Sequence, residues 1–564
     1  MLHRRISLLA LLLSPAVAPA FACGSSNSGN PAGAGDSGSS SDVSVEDSGS
    51  TDTGSPQDTG APTDSGTEAA SDGGILGANC PAVDAGTFVQ ATHSPLPTMA
   101  NFGGPVLPAP QIVTFTFSNT ANAAALQAFG ATITQTPWFT DVTRDYCIHD
   151  GGTCITAGPT GLSVDITTAA AASYTDTFGQ GDAGAADLEQ FINQQISAAV
   201  AASAIPAPGP SSLYVFYFPS TTSIVSDGAG MNGGTSCSSF SGYHSNMTYT
   251  DGTTPIVYAI IPDCAGSRPT RELSSMTTAA SHEIAEATTD PHVNTEPTWY
   301  LDQPIGITDA AISVPQFRND PWATTFTYGE VGDNCERLPA RTWTLDAGPP
   351  GGDAGYIVQR IWSMSAAAAG HNPCVPVPAG ETYYNASTDK AIYVANVGDT
   401  FTVDVTAFSE VARPSWRLDA LDYTPTQMTD SSGNAKQYLK LEFVGGVTGS
   451  DGVSSLLCVN NGSTGQVKVT LLADPAADSS LSGYEWPEAD GTILSADVAN
   501  ATTRTTADGG VRVSFPYQLW PFAVITPATA TSLGVTSAGI QERTLATLRA
   551  AHRVHASRFL PPEP

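Results

Sequence analysis

Apolar side chains fall into three regimes along the chain. Residues 24–75 are almost wholly Ser, Gly, Asp, Thr, Ala and Pro, with nine acidic side chains, no Lys or Arg and no aromatic ring. Such a stretch buries too little apolar area to offset chain entropy, and disorder is expected. As a flexible coil it would span about 40 Å, the reach of a tether. From about 76 to 375, strand-like and helix-like runs alternate. Ile112-Val113-Thr114-Phe115-Thr116-Phe117 is β-branched and aromatic, and an Ala-rich helical run over 123–129 follows it. Leu188, Phe191, Ile192, Ile196 and Val200 keep helical spacing. The runs 213–218 and 256–261 are continuously apolar, as strands covered on both faces require. A helix is expected over 272–289, stopped by Pro291. The polar stretch 292–360, which carries Trp299, Trp322 and Trp343, predicts loops over this α/β or α+β body.

Beyond about 376 the pattern shortens to strands at regular spacing, over 391–397, 400–408, 438–444, 466–472, 511–515 and 522–525. Gly398-Asp399, 431–433, 460–462 and 508–510 supply turn residues between them, so residues 376–535 are expected to form an all-β sandwich. Arginines with Leu545, Leu548 and Val554 predict a helix over 541–559, within a C-terminal helix and tail at 536–564.

Composition adds a location. Residues 1–22 combine Arg4-Arg5, an apolar run broken by Pro15 and Pro19, and Ala20-Phe21-Ala22, which is the layout of a cleaved secretory signal. Cys23-Gly24-Ser25-Ser26 follows and resembles the acceptor site of a bacterial lipoprotein, so a lipid anchor on Cys23 of an exported surface protein is expected, with plain secretion as the alternative. No other run approaches the 18 or so apolar residues that cross a bilayer. The 53 acidic against 21 basic residues give a net charge of −32, which repels nucleic-acid backbones and anionic lipid surfaces. Four lysines are present, all at or after Lys390, a compositional break consistent with a domain boundary. Beside Cys23, eight cysteines remain, an even number that in an exported chain favours disulfides.

The candidate chemistry is concentrated in Ser281-His282-Glu283-Ile284-Ala285-Glu286-Ala287-Thr288-Thr289-Asp290-Pro291-His292. On a helix, His282 and Glu286 share a face on which an imidazole nitrogen and a carboxylate oxygen could grip one divalent cation. Glu283 projects beside them, where a carboxylate can take a proton from an activated water. The spacing resembles the long zincin motif, with His282, Glu286 and His292 in its ligand positions and zinc as the implied ion. It departs from that motif where Glu286 replaces a histidine and Thr289 replaces the glycine of the sharp turn. The bland alternative is a solvated polar stripe on an amphipathic helix. Met364 reads best as a core methionine. No nucleophile elbow or phosphate-binding glycine loop stands in a strand-to-helix context.

The string SHEIAEATTDP, then Trp299-Tyr300, Gly329-Glu330-Val331-Gly332-Asp333-Asn334-Cys335-Glu336, YIVQRIWS over 356–363 and Cys374, resembles the exordium or phosphate-induced-protein family. Upstream, Pro137-Trp138-Phe139, Tyr146, 174–179, the 213–218 strand, Cys237 and Gly242-Tyr243-His244 occur in the matching order. The resemblance spans about residues 100–375. It implies a secreted, wall-associated, disulfide-bonded protein and supplies no reaction. Its acidic and histidine positions correspond here to His282, Glu283, Glu286, Asp290 and Asp333, with His244 further upstream. Plant members carry an apolar residue in place of His292, so the third ligand is either His292 or Asp333. Cys147 with Cys154, Cys237 with Cys264, and Cys335 with Cys374 are the expected disulfides; Cys80 and Cys458 either link the two domains or stay thiols. Two functions follow as expectations: a metal-dependent, peptidase-like hydrolase acting on a peptide or cell-wall substrate, or a non-catalytic surface protein that binds polysaccharide or another protein and keeps a structural or relic metal site.

Overall fold

The computed structural model describes residues 87–532 apart from 97–98, 102, 149–151, 177–186, 227–234, 239, 266–271, 294–295, 302–329, 337–340, 347, 349–354, 423–435, 449–454, 478–488, 498–499, 501, 506–510 and 515. The expected signal, the tether, Cys80, Trp322 and the 541–559 helix therefore lie outside the described residues.

The first half is built on a five-stranded sheet. Its spatial order is Leu162–Ile166, Gln111–Phe117, Ser212–Phe218, Pro255–Pro262 and Tyr243–Thr248. The first four strands are parallel and the last is antiparallel to its neighbour. Strand alternation sends Ile112, Leu213, Val215 and Ala259 to the face covered by helices Ala123–Thr132 and Glu272–Thr289. Phe115, Tyr214, Phe216 and Tyr258 go to the other face, which the helix Leu188–Ala201 covers. Both faces are dry, which is why 213–218 and 256–261 are unbroken apolar runs rather than alternating ones. Local chemistry fixes two helix starts. Thr136 accepts a hydrogen bond from the Phe139 amide ahead of Pro137, and Asp187 accepts one from the Gln190 amide ahead of Leu188.

The Glu272–Thr289 helix is unusual in that every residue from Ala279 to Thr289 is buried, polar ones included. Its small residues, Ala279, Ala280, Ser281, Ala285 and Ala287, let it lie close between the sheet and the short strand Ile357–Gln359. Ser281 Oγ accepts from the Gln359 amide and Thr277 Oγ1 donates to the Ile357 carbonyl, which joins helix to strand.

Among the described residues the second half contains two large sheets and the antiparallel pair Thr502–Thr505 with Val511–Ser514. One runs Tyr384–Thr388, Thr400–Ser409, Thr464–Leu471, Leu439–Phe443, all antiparallel. The other runs Ile392–Val394, Tyr517–Ile525, Ala489–Ala496, Trp416–Asp422, Ser455–Val459, Val447–Thr448, antiparallel except for its first pair. Alternate residues Val403, Val405, Val467 and Val469 of the first sheet enter one apolar cluster with Trp416, Leu418, Ile493 and Phe522 of the second. The Trp416–Asp422 and Ala489–Ala496 strands were not anticipated, because charged residues interrupt their pattern. Arg417 and Asp419 are buried there, paired at 2.9 Å, so burial and charge coexist in this strand.

The two halves share that apolar cluster, and the stretch just before the first sheet packs on the later strands. Ser94 Oγ donates to the Thr388 carbonyl, the Ala91 amide donates to Asn461 Oδ1, and the His93 ring stacks on Phe408 at 3.7 Å. Cys147–Cys154, Cys237–Cys264 and Cys335–Cys374 are bonded as the sequence suggested. Cys458 is also disulfide-bonded, which removes the thiol alternative at that position.

Candidate metal centre

His282, Glu283 and Glu286 lie fully buried in the middle of the Glu272–Thr289 helix. Burying an unpaired carboxylate costs several kcal/mol, so the surroundings must answer each one. Three neighbouring segments do so. From the Glu330–Glu336 turn, the Gly332 and Asp333 amides both donate to Glu286 Oε1 at 3.1 Å. Asp333 Oδ1 itself lies 3.5 Å from His282 Nε2. From the Ile357–Gln359 strand, Gln359 Oε1 meets His282 Nδ1 at 3.1 Å, while Gln359 Nε2 donates to the Gly332 carbonyl at 2.7 Å. That second bond turns the amide oxygen toward the ring and makes Nδ1 the ring's donor, so Nε2 faces Glu286 and Asp333.

The antiparallel edge strand Tyr243–Thr248 supplies His244. Its Nε2 sits 3.2 Å from the Asp290 carbonyl, an acceptor, which directs Nδ1 toward Glu283 Oε2 at 3.3 Å and Glu286 Oε2 at 3.7 Å. Glu286 Oε2 is buried, and the groups that approach it are two imidazole nitrogens, with His282 Nε2 at 3.0 Å. Two glycines make room for this crowding. A Cβ on Gly332 would stand 2.7 Å from His282 Nδ1, and one on Gly242 would stand 2.9 Å from Glu283 Oε1.

Together with Asp290 and Glu330, the centre holds five carboxyl groups and two imidazoles, none more than 2% exposed. Arg360 does not offset them, because its guanidinium binds Glu381 and the Cys374 carbonyl. Burial pulls the pKa of His282 down, but Glu286 and Glu283 outweigh it and hold the ring well above its ordinary value. His244 is raised likewise, with burial outweighed by the bond to Glu283 and the charge of Glu286. Burial pushes Glu286 up, but His282 and then His244 win and lower it. Burial and then the charge of Glu286 push Glu330 well above the carboxylate range, and burial pushes Asp290 up to about 7.

Two sets of donors converge closely enough to hold an ion among the described residues: His282, Glu286 and Asp333, and His244, Glu283 and Glu286, with the atoms of each set within 4.8 Å of one another. Two donors each about 2.1 Å from a zinc-sized cation lie about 3–4 Å apart, the spacing found here. The identity of an ion is not fixed by one imidazole and two carboxylates, a donor set that suits zinc, manganese or iron. As described, the groups form ion pairs with one another.

Of the sequence candidates, His282, Glu286 and Asp333 come together, and Glu283 sits beside them. His292 stands outside both sets, with its Nδ1 3.8 Å from Glu296 and its pKa lowered by burial more than Glu296 raises it. The cause is local. The Asp290 amide still bonds the Glu286 carbonyl at 2.6 Å, so the helical path continues past Thr289 where a glycine would turn, and Pro291 then carries the chain away. Asp290 is not in either set; its Oδ1 accepts the Thr298 amide. Gln359 and Glu330 had no sequence signal beyond lying in the exordium-like strings, and the strand that positions His244 was not anticipated. Trp299 and Trp343 are partly buried against the apolar core, and Trp362 is fully buried. Among the described residues no helix is long and apolar enough to cross a membrane. Comparison of the chain with known protein families and with curated proteins finds no match to either.

Proposed function

We propose that this chain is an exported protein, tethered to a cell surface through a lipid on Cys23, whose α/β half is a zincin-like, metal-dependent hydrolase of peptidase type related to the exordium family. The observation that carries the reading is the convergence of His282 Nε2, Glu286 Oε2 and Asp333 Oδ1 from a helix and a distant turn. The donors fit a divalent ion: the buried Glu286 Oε2 faces an imidazole whose other nitrogen is already committed to Gln359, so the space between them suits a proton or a cation. A bound divalent cation supplies Lewis-acid polarisation of a carbonyl and a more acidic water. The chain's own residues do the rest. Gln359 fixes the His282 tautomer, the Gly332 and Asp333 amides orient Glu286, and Glu283 is the base that accepts a proton from the attacking water. Metal analysis of the purified chain is expected to find bound zinc or manganese, and His282→Ala is expected to lose the ion held by His282, Glu286 and Asp333. Glu283→Gln is expected to abolish peptide hydrolysis. A chain that binds no metal, or full hydrolysis by Glu283→Gln, defeats the proposal.

One observation favours a second reading: every donor is at most 2% exposed, as in a structural ion site that ties the helix to the Glu330–Glu336 turn. In that case the protein is a non-catalytic surface binder. Metal would be bound and would raise the melting temperature, while no peptide would be cleaved.

A further inference from the structure

We propose that the centre holds two cations bridged by Glu286, the second of them in a site formed by His244, Glu283 and Glu286. The inference rests on the metal-binding part of the reading above and adds a site to it. The two imidazoles approach Glu286 from different elements yet are arranged alike. His282 has its Nδ1 committed to Gln359 Oε1 and points Nε2 at Glu286 Oε2, 3.0 Å away. His244 has its Nε2 committed to the Asp290 carbonyl and points Nδ1 at the same oxygen, 3.7 Å away. An acceptor behind each ring is the arrangement that fixes metal-ligating histidines elsewhere in proteins. Each ring then has its own second carboxylate, Asp333 at 3.5 Å from His282 and Glu283 at 3.3 Å from His244, so each half supplies one nitrogen and one unshared oxygen.

Charge and space point the same way. Glu286 Oε2 is fully buried, while Oε1 is already satisfied by two backbone amides, so one oxygen of this carboxylate is directed at both rings. A single-oxygen bridge of this kind suits a pair of divalent ions about 3.5–4 Å apart. Gly242 leaves the second half the room that Gly332 leaves the first. In a two-cation centre Glu283 is a ligand, and its replacement costs an ion as well as activity.

The full chain, loaded separately with zinc and with manganese and then stripped of free metal, tests this by atomic emission. Wild type is expected to hold two ions, and His244→Ala and Glu283→Gln one each, with the remaining ion lost in His244→Ala combined with His282→Ala. The wild-type manganese form is expected to give the electron-spin resonance pattern of an exchange-coupled pair, a readout that needs no variant to fold. Saturation at one ion that His244→Ala retains, with the spectrum of isolated manganese, overturns the second site and leaves the first reading intact. One ion lost equally on replacing either histidine shows a single shared site and also overturns the proposal. No bound ion in wild type overturns both readings.

Discussion

At the scale of single residues, the centre depends on contacts that a small substitution can break. Gln359 Oε1 meets His282 Nδ1, and its other end holds the Gly332 carbonyl. Gln359→Ala is expected to weaken metal binding by about 10- to 100-fold, the usual effect of losing the partner that orients a ligating histidine. Competition against a chromophoric chelator measures this; unchanged affinity would mean that Gln359 only packs. Gly332→Ala places a methyl group 2.7 Å from His282 Nδ1 and 2.8 Å from Glu286 Oε1. It is expected to cost about 1–3 kcal/mol of stability through overpacking, read by denaturant titration of the metal-free chain. The sequence disclosed His282, Glu283 and Glu286 because a helical repeat of four is local. It left His292 and Asp333 as alternatives, because which of them returns to the helix depends on backbone bonds at Asp290 and on amides 46 and 47 residues away.

At the scale of elements, the Glu272–Thr289 helix joins the sheet to the site, and its ends and faces give separate tests. Ile284 is fully buried in the apolar cluster beneath the sheet, and Ile284→Ala is expected to cost about 2–5 kcal/mol by leaving a cavity. At the helix start, burial and then the adjacent Asp263 carboxyl push Glu272 up to about 7 from an ordinary 4.5. The folded chain therefore holds that proton more tightly than the unfolded one. Its contribution is complete below 4.5 and is lost as pH rises through about 7. Glu272→Gln should flatten this part of the profile, so that the difference in melting temperature between about pH 5 and about pH 8 shrinks. An equal slope in both proteins would assign the pH dependence to other groups. The helix bounds 272–289 were legible from periodicity and Pro291. Its complete burial was not, because a helix bearing three charged side chains in five residues reads as amphipathic until the facing strands and turns are known.

At the scale of the whole molecule, the Cys335–Cys374 disulfide closes a separation of 39 residues and anchors the turn that carries Asp333. Replacing both cysteines by alanine is expected to lower stability by about 2–4 kcal/mol and to weaken metal binding, since Asp333 is two residues from the bond. Retained affinity in that variant would show that the amide bonds to Glu286 suffice to hold the turn. The sequence alone determined three of the four parallel strands, the three longest helices and the pairing of His282 with Glu286, because each follows from side-chain periodicity, and Cys147–Cys154 from a separation of 7 residues. Only the tertiary structure decided that His244, Asp333, Gln359 and Glu330 surround the helix, and that Arg417 and Asp419 lie inside a sheet. Those outcomes depend on which distant backbone amides and carbonyls satisfy a buried charge, and no local pattern of polar and apolar residues encodes that choice.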